Sequence, residues 1–312
     1  MILNLVLLVV GFILLIKGAD FFVAGASGIA EKFRIPQIVI GLTIVAFGTS
    51  APEAAISISA GFKGSTGISI GNILGSNILN ILLILGITAC ITALKVQKNT
   101  VMIEIPFTIF ITVVLVVLGN TMGKLNRVTG VVLWILFLLF LAYLFYTAYK
   151  GRKEGEPDSC PHQMQPMWKL LLVTVAGLAA VVIGSDITVD SASAIASELG
   201  MSDRLIGLTI VAFGTSLPEL VTSVMAAKKG QADIAIGNIV GSNIFNILFV
   251  LGTTSLVCPI PYDAARFLVD GIVCIGAAVL LWLCVLKNKE LRRWGGILFL
   301  VAYAGYFIYL VR

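Results

Sequence analysis

Apolar residues dominate this chain in long uninterrupted stretches, which short polar segments separate at regular intervals. Each stretch has about 20 residues, the length of an α-helix that crosses a bilayer, and the ten-residue alternation typical of membrane β-strands is absent. The pattern predicts ten membrane-spanning helices, at residues 2–24, 36–61, 68–91, 101–119, 128–149, 169–191, 203–227, 234–257, 266–286 and 295–311. The predicted fold class is therefore an all-α integral membrane protein.

The polar positions reveal an internal repeat with a constant offset of 166 residues. The segment GLTIVAFGTSAPE at 41–53 returns as GLTIVAFGTSLPE at 207–219, and GNILGSNILNILLILG at 71–86 returns as GNIVGSNIFNILFVLG at 237–252. We therefore predict two five-helix halves, residues 1–149 and 169–312, joined by a short linker at 150–168. Because five is odd, the second half enters the membrane from the opposite face, so the repeats are inverted, as in many secondary transporters.

Composition and charge agree with this class and orient the chain. The sequence is 59% hydrophobic and 12% charged, with a mean hydropathy of +1.05, whereas soluble domains are roughly 25% charged. Six Lys and Arg residues fall on the side of the N-terminus and fourteen on the other, with Lys17 left out because it lies within the first span. The positive-inside rule then predicts that both termini are outside and that the linker is cytoplasmic. The net charge of +5 lies in these loops and implies no nucleic-acid partner.

The repeated GTSxPE motif predicts a bent helix that carries oxygen ligands. Proline has no N–H to donate to the carbonyl four residues back, so Pro52 and Pro218 are expected to bend their helices. Helical spacing places Thr49, Ser50 and Glu53 on one face at the bend, and the second copy does the same with Thr215, Ser216 and Glu219.

The segment that follows each motif supplies a second row of polar side chains at a spacing of four residues. These rows are Asn72, Ser76 and Asn80 in the first half, and Asn238, Ser242 and Asn246 in the second. The glycine pairs Gly71/Gly75 and Gly237/Gly241 are predicted to let the helices approach closely. Carboxylate, hydroxyl, amide and carbonyl oxygens together suit a hard cation, such as Ca²⁺, Na⁺ or Mg²⁺.

The charge of the predicted site indicates exchange. Glu53 and Glu219 are the acidic residues that lie well inside both a span and the repeated motif. Two negative charges balance one Ca²⁺ or two Na⁺, but both sets together would leave excess buried charge, which is costly. The ions should therefore exclude one another from the same oxygens, and rocking of the two halves would expose these oxygens to one side at a time.

The two motif pairs resemble the α1 and α2 repeats of the cation/calcium exchanger superfamily, specifically the prokaryotic sodium/calcium exchangers, over nearly the whole chain. The resemblance implies ten transmembrane helices, an N-terminus outside, and electrogenic exchange of Na⁺ for Ca²⁺ across the plasma (inner) membrane of a prokaryote. The side-chain ligands that it implies are Thr49, Ser50, Glu53, Ser76, Asn80, Thr215, Ser216, Glu219, Ser242 and Asn246. It adds the backbone oxygens of Ala46 and Ala212.

Some family members carry aspartate where this chain has Asn246, so potassium co-transport is not expected and the sodium stoichiometry stays open. Exchange of Ca²⁺ for H⁺ at the same site is an alternative, and a cation channel is an alternative of another class. No cofactor and no enzymatic activity are predicted, and the chain is compatible with a monomer. Glu104 and Asp270 also obey the offset, and we interpret them as acids of a first helical turn that complement the helix dipole.

Overall fold

A computed structural model describes residues 2–62, 67–154, 165–200 and 212–311, and these segments are almost entirely helical. The α-helices are α1 Ile2–Phe33, α2 Gln37–Ile40, α3 Ala46–Thr49, α4 Ala51–Phe62, α5 Gly67–Leu79, α6 Gly86–Ile91, α7 Ile105–Met122, α8 Arg127–Glu154, α9 Met167–Glu198, α10 Ala212–Gly214, α11 Leu217–Lys228, α12 Ala232–Phe245, α13 Gly252–Val257, α14 Ala264–Leu286 and α15 Arg293–Val311. Within the described segments, four π-helical turns join or precede these helices, at Gly41–Val45, Asn80–Leu85, Thr100–Glu104 and Asn246–Leu251.

The length and hydropathy of these helices agree with a polytopic membrane protein. Eight are long and apolar enough to cross a bilayer, and the bent pair Gln37–Thr49 and Ala51–Ile58 makes a ninth within the described segments. The predicted span 203–227 lies partly outside the described residues, and so does the predicted linker 150–168, of which residues 155–164 are not described. An all-helical membrane fold is confirmed, and the count of ten spans stays a prediction.

The helices α1 and α9 are longer than their predicted spans of 2–24 and 169–191. The C-terminal turns of α1 bury Ala26, Ile29 and Ala30, although this part of the helix also carries charged residues. The two helices pack antiparallel, since Gly11 lies against Thr188 and Gly25 lies against Thr174. The absence of glycine side chains lets the two backbones come close along this contact.

Two short antiparallel ribbons tie the first half of the chain to the second. Their strands are β1 Leu94–Lys95, β2 Lys124–Leu125, β3 Ile260–Pro261 and β4 Glu290–Leu291, with β1 paired to β4 and β2 paired to β3. The ribbons are equivalent at the 166-residue offset, because β1 corresponds to β3 and β2 to β4. β1 precedes α7 and β2 follows it, so the ribbons lie at opposite ends of that helix and connect the halves at both.

The interpretation of Glu104 and Asp270 as acids of a first helical turn is wrong. Glu104 is the last residue of the π-turn Thr100–Glu104, only 1% of its side chain is exposed, and its Oε1 accepts a hydrogen bond of 2.6 Å from the Tyr143 hydroxyl. Asp270 lies in the second turn of α14, where it accepts a hydrogen bond of 2.9 Å from Tyr306. In each carboxylate one oxygen thus accepts a hydrogen bond from a tyrosine on a neighbouring helix, whereas Glu104 Oε2 is buried without a hydrogen-bond partner among the described residues.

Candidate cation-binding site

Both GTSxPE motifs interrupt their helices shortly before the proline that the sequence predicts will bend them. In the first copy α3 ends at Thr49, α4 begins at Ala51, and the two segments of the span are bent by 50°. In the second copy α10 ends at Gly214 and α11 begins at Leu217. The Gly214 carbonyl accepts a hydrogen bond of 2.9 Å from the Ser185 hydroxyl, so a side chain of α9 satisfies this oxygen at the break.

The two glutamates are buried and face each other's motif. Glu53 is 1% exposed and Glu219 is fully buried. The Ser50 hydroxyl donates to Glu219 Oε1 at 3.0 Å, and the Ser216 hydroxyl donates to Glu53 Oε1 at 3.3 Å. The Thr215 hydroxyl also interacts with the Glu53 carboxylate. Each carboxylate therefore accepts a hydrogen bond from the other copy of the motif, and the two copies form one hydrogen-bonded cluster.

Thr49 and Ser242 link the first motif to α12. The Thr49 hydroxyl lies 3.1 Å from the Val45 carbonyl and 2.9 Å from Asn238 Oδ1, and it has one proton to donate. Its lone pairs stay available to a cation. The Ser242 hydroxyl donates to the Ala46 carbonyl at 3.5 Å. Ala212 begins α10, but its side chain lies outside the described part of the structure.

Asn72 and Asn238 fasten neighbouring helices rather than line the site with free amide groups. In each half the amide nitrogen donates to a serine hydroxyl at 3.0 Å and to the backbone oxygen of the motif glutamate at 3.4 Å. The serines are Ser57 and Ser223, which the sequence analysis missed. Their position four residues after each glutamate is a signal that could have found them.

Four asparagines form a hydrogen-bonded cluster where the halves meet. Asn80 Nδ2 donates to Asn243 Oδ1 at 3.0 Å, and Asn246 Nδ2 donates to Asn77 Oδ1 at 3.1 Å. Asn80 and Asn246 each begin a π-turn, and both are buried, as is Ser76. The structure thus gathers Asn80, Asn246 and Ser242 from the predicted set near the interface between the halves.

Four buried oxygen atoms of the predicted ligand residues accept no hydrogen bond within the described part of the structure. They are Glu53 Oε2, Glu219 Oε2, Asn80 Oδ1 and Asn246 Oδ1, two pairs at the 166-residue offset. Buried acceptors that are left unpaired cost free energy, and carboxylate and amide oxygens are groups that hard cations accept as ligands. No group of three His, Cys, Asp or Glu that could hold a metal ion occurs among the described residues.

Comparison with known proteins places the chain among ion exchangers. The profile of the sodium/calcium exchanger protein family matches residues 3–146 and again residues 169–312. A putative antiporter, CaxA, of Alkalimonas amylolytica is 42% identical over 96% of both chains, and the sodium/calcium exchanger MaX1 of Methanosarcina acetivorans is 33% identical over 98% of both. The solved structure of the sodium-calcium exchanger NCX_Mj, soaked with 2.5 mM Na⁺ and 0.1 mM Ca²⁺, superposes with a TM-score of 0.83 and 38% identity over 97% of both chains.

Proposed function

We propose that this chain, which belongs to the sodium/calcium exchanger protein family, is an antiporter that exchanges Na⁺ for Ca²⁺ at one site between its halves. The observation that carries the proposal is the set of four unpaired buried oxygens, two from carboxylates and two from amides. Their combined charge of −2 balances one Ca²⁺ or two Na⁺, so the ions compete for the same ligands.

The proposed ligands extend from these four atoms to the neighbouring hydroxyl and carbonyl oxygens. The set comprises Thr49, Ser50, Glu53, Ser76, Asn80, Thr215, Ser216, Glu219, Ser242 and Asn246, with the carbonyls of Ala46 and Ala212. The hydroxyls of Ser50 and Ser216 hold the carboxylates across the interface, so each half orients the acid of the other. Such preorganisation lowers the cost of binding a desolvated ion.

The proposed architecture is two inverted five-helix repeats, residues 1–149 and 169–312, with ten spans and a cytoplasmic linker at 150–168. The family profile matches two segments at the same 166-residue offset, and the antiparallel packing of α1 on α9 supports the inversion. A rocking motion of such halves around a fixed site would expose it alternately to each side.

We further propose that the chain lies in the plasma membrane of a prokaryote with both termini outside. The distribution of Lys and Arg supports this orientation. A relative from Escherichia coli, 33% identical over 96% of the chain, is named an inner membrane protein. An alkaline phosphatase fused to the C-terminus is expected to be active, since that enzyme requires the oxidising exterior, and an inactive fusion would reverse the orientation.

The counter-ion is tested by Ca²⁺ uptake into sealed vesicles under imposed gradients. Vesicles loaded with Na⁺ should accumulate Ca²⁺, and vesicles loaded with choline should not. Uptake that ignores the Na⁺ gradient and follows a proton gradient would establish Ca²⁺/H⁺ exchange instead. A channel is distinguished in the same assay, because it passes Ca²⁺ down its own gradient whether or not Na⁺ is present on the other side.

Replacing Asn246 with aspartate is expected to change the sodium dependence of uptake. The substitution puts a third carboxylate beside the proposed ion, so the Na⁺ concentration for half-maximal exchange should shift several-fold or the rate should become sensitive to K⁺. Asn126→Asp is the matched control, because Asn126 caps α8 through its Oδ1, and aspartate caps equally well. Identical ion dependence in the two variants would show that position 246 does not tune the ions.

A further inference from the structure

The asparagine cluster contains two residues, Asn77 and Asn243, that the proposed ligand set does not include. Each donates from its amide nitrogen to the backbone carbonyl of the other at 3.2 Å. Each also accepts, at its amide oxygen, a hydrogen bond from a proposed ligand of the opposite half: Asn243 from Asn80, and Asn77 from Asn246. The side chains of both residues are buried, with 1% or less exposed.

The backbone carbonyls determine which way every amide in the cluster points. A carbonyl oxygen can only accept, so the nitrogen of Asn243 must face the carbonyl of Asn77. The oxygen of Asn243 then points to Asn80, where only a donor can satisfy it. Asn80 must therefore turn its nitrogen toward Asn243, which directs its own oxygen away from the cluster.

The same reasoning applies to the other pair. Asn77 is fixed by the carbonyl of Asn243, and its oxygen receives the nitrogen of Asn246. The result in both halves is a buried amide oxygen that accepts no hydrogen bond from the described residues, at Asn80 and at Asn246. If the side-chain amide of Asn80 or Asn246 were rotated by 180°, it would present its NH₂ group to a cation in place of its oxygen. The contact between the NH₂ group and a cation is repulsive.

We propose that Asn77 and Asn243 are positioning residues, which hold the amide oxygens of Asn246 and Asn80 toward the transported cation, each acting across the interface between the halves. The proposal rests on the proposed function and adds to it how the neutral ligands acquire their orientation. Because each pair joins one half to the other, the proper ligand geometry requires both halves to be docked.

The proposal predicts a specific pattern of coupling between substitutions. Asn243→Ala should raise the Ca²⁺ concentration for half-maximal uptake about tenfold with the maximal rate changed less than about twofold, as expected when one charge–dipole contact loses its orientation. Asn80→Ala should have a similar effect. The double variant Asn80→Ala/Asn243→Ala should be no worse than Asn80→Ala, because Asn243 acts through Asn80.

The non-partner pair is the matched control. In the double variant Asn243→Ala/Asn246→Ala the fold-changes of the two single variants should multiply, since Asn243 positions Asn80 and Asn246 is a different ligand. The two halves are related by pseudo-symmetry, so the same pattern is expected for Asn77. Adding Asn77→Ala to Asn246→Ala should cause no further increase in the Ca²⁺ concentration for half-maximal uptake, whereas the fold-changes of Asn77→Ala and Asn80→Ala should multiply. If Asn243 has a merely structural role, the fold-change caused by Asn243→Ala should combine in the same way with that of Asn80→Ala and with that of Asn246→Ala. This result would overturn the proposal.

Two measurements keep the test decisive. Binding of ⁴⁵Ca²⁺ to purified protein in detergent should show the same coupling without any transport step, and the Asn77 set provides an independent cycle if Asn243→Ala does not fold. Glu219→Gln is measured in the same vesicles. If it abolishes uptake while the partner pairs combine multiplicatively, the positioning proposal alone is refuted; if it leaves uptake intact, the proposed function fails and the positioning proposal fails with it.

Discussion

Replacing Glu219 with glutamine is expected to lower Na⁺-driven Ca²⁺ uptake by more than about 100-fold, and Glu53→Gln should do the same. Each carboxylate contributes half of the negative charge at the proposed site, and both are buried. At a separation of 4 Å and an effective dielectric constant of 20, two unit charges interact by about 4 kcal/mol. Since about 1.4 kcal/mol corresponds to a factor of ten, the loss of one charge is sufficient for this effect.

Glu104→Gln is the matched control for these substitutions. Glu104 is as buried as Glu53, but it is bonded to Tyr143 outside the proposed site, and glutamine keeps an oxygen that can accept the tyrosine hydroxyl. This variant should transport Ca²⁺ at close to the rate of the unmodified protein. If Glu53→Gln and Glu219→Gln retained transport at the level of Glu104→Gln, the two-glutamate site would be ruled out.

Replacing Gly241 with leucine is expected to abolish uptake and to lower the apparent melting temperature of the purified protein. A Cβ atom at Gly241 would lie 2.8 Å from the Cα and carbonyl oxygen of Leu42 and 2.8 Å from the Ala46 Cβ. Backbone atoms cannot rotate away, so α12 must move off the first motif, and the contact of Ser242 with the Ala46 carbonyl must break. Overpacking of this kind costs about 1–3 kcal/mol of stability.

Gly276→Leu tests whether close helix contact is the cause. No described atom lies within 4 Å of a Cβ built at Gly276, so leucine there should extend into open space, where the bilayer would surround it. This variant should melt near the temperature of the unmodified protein and should transport normally. If Gly241→Leu behaved like Gly276→Leu, the close approach of α12 to the Leu42 backbone would not be needed for the site.

The features predicted correctly from the sequence are those that local chemistry controls. The bend in the first motif follows from the missing N–H of Pro52, and the structure bends its span by 50° there. The glycine pair Gly237/Gly241 does permit close approach, because a Cβ on either would meet the backbone around Gly41 and Leu42. The same prediction is wrong for Gly71/Gly75, where a Cβ would lie 3.8 Å from the Phe267 ring at Gly71 and within 4 Å of no described atom at Gly75. Hydropathy did not predict the full length of α1 and α9, because it identifies only the apolar stretch of a helix. Both helices continue past that stretch, and in α1 the added turns bury residues such as Ala26, Ile29 and Ala30.

The roles of the asparagines could not be predicted from helical spacing. A period of four places Asn72 and Asn80 on one stripe, yet Asn72 binds Ser57, whereas Asn80 begins a π-turn and bonds across the interface. Asn77 and Asn243 contact each other only when the two halves dock, and the spacing of residues within one helix gives no information about that contact.

The most direct test of one shared two-glutamate site is competition between Na⁺ and Ca²⁺ for the purified protein. Binding of ⁴⁵Ca²⁺ is measured at increasing Na⁺, with choline at the same ionic strength as the control for screening. We predict one Ca²⁺ per chain, displaced completely by Na⁺ but not by choline, and no Ca²⁺ binding by Glu219→Gln. Ca²⁺ that stays bound at saturating Na⁺, or that binds Glu219→Gln as tightly as the unmodified chain, would contradict the account.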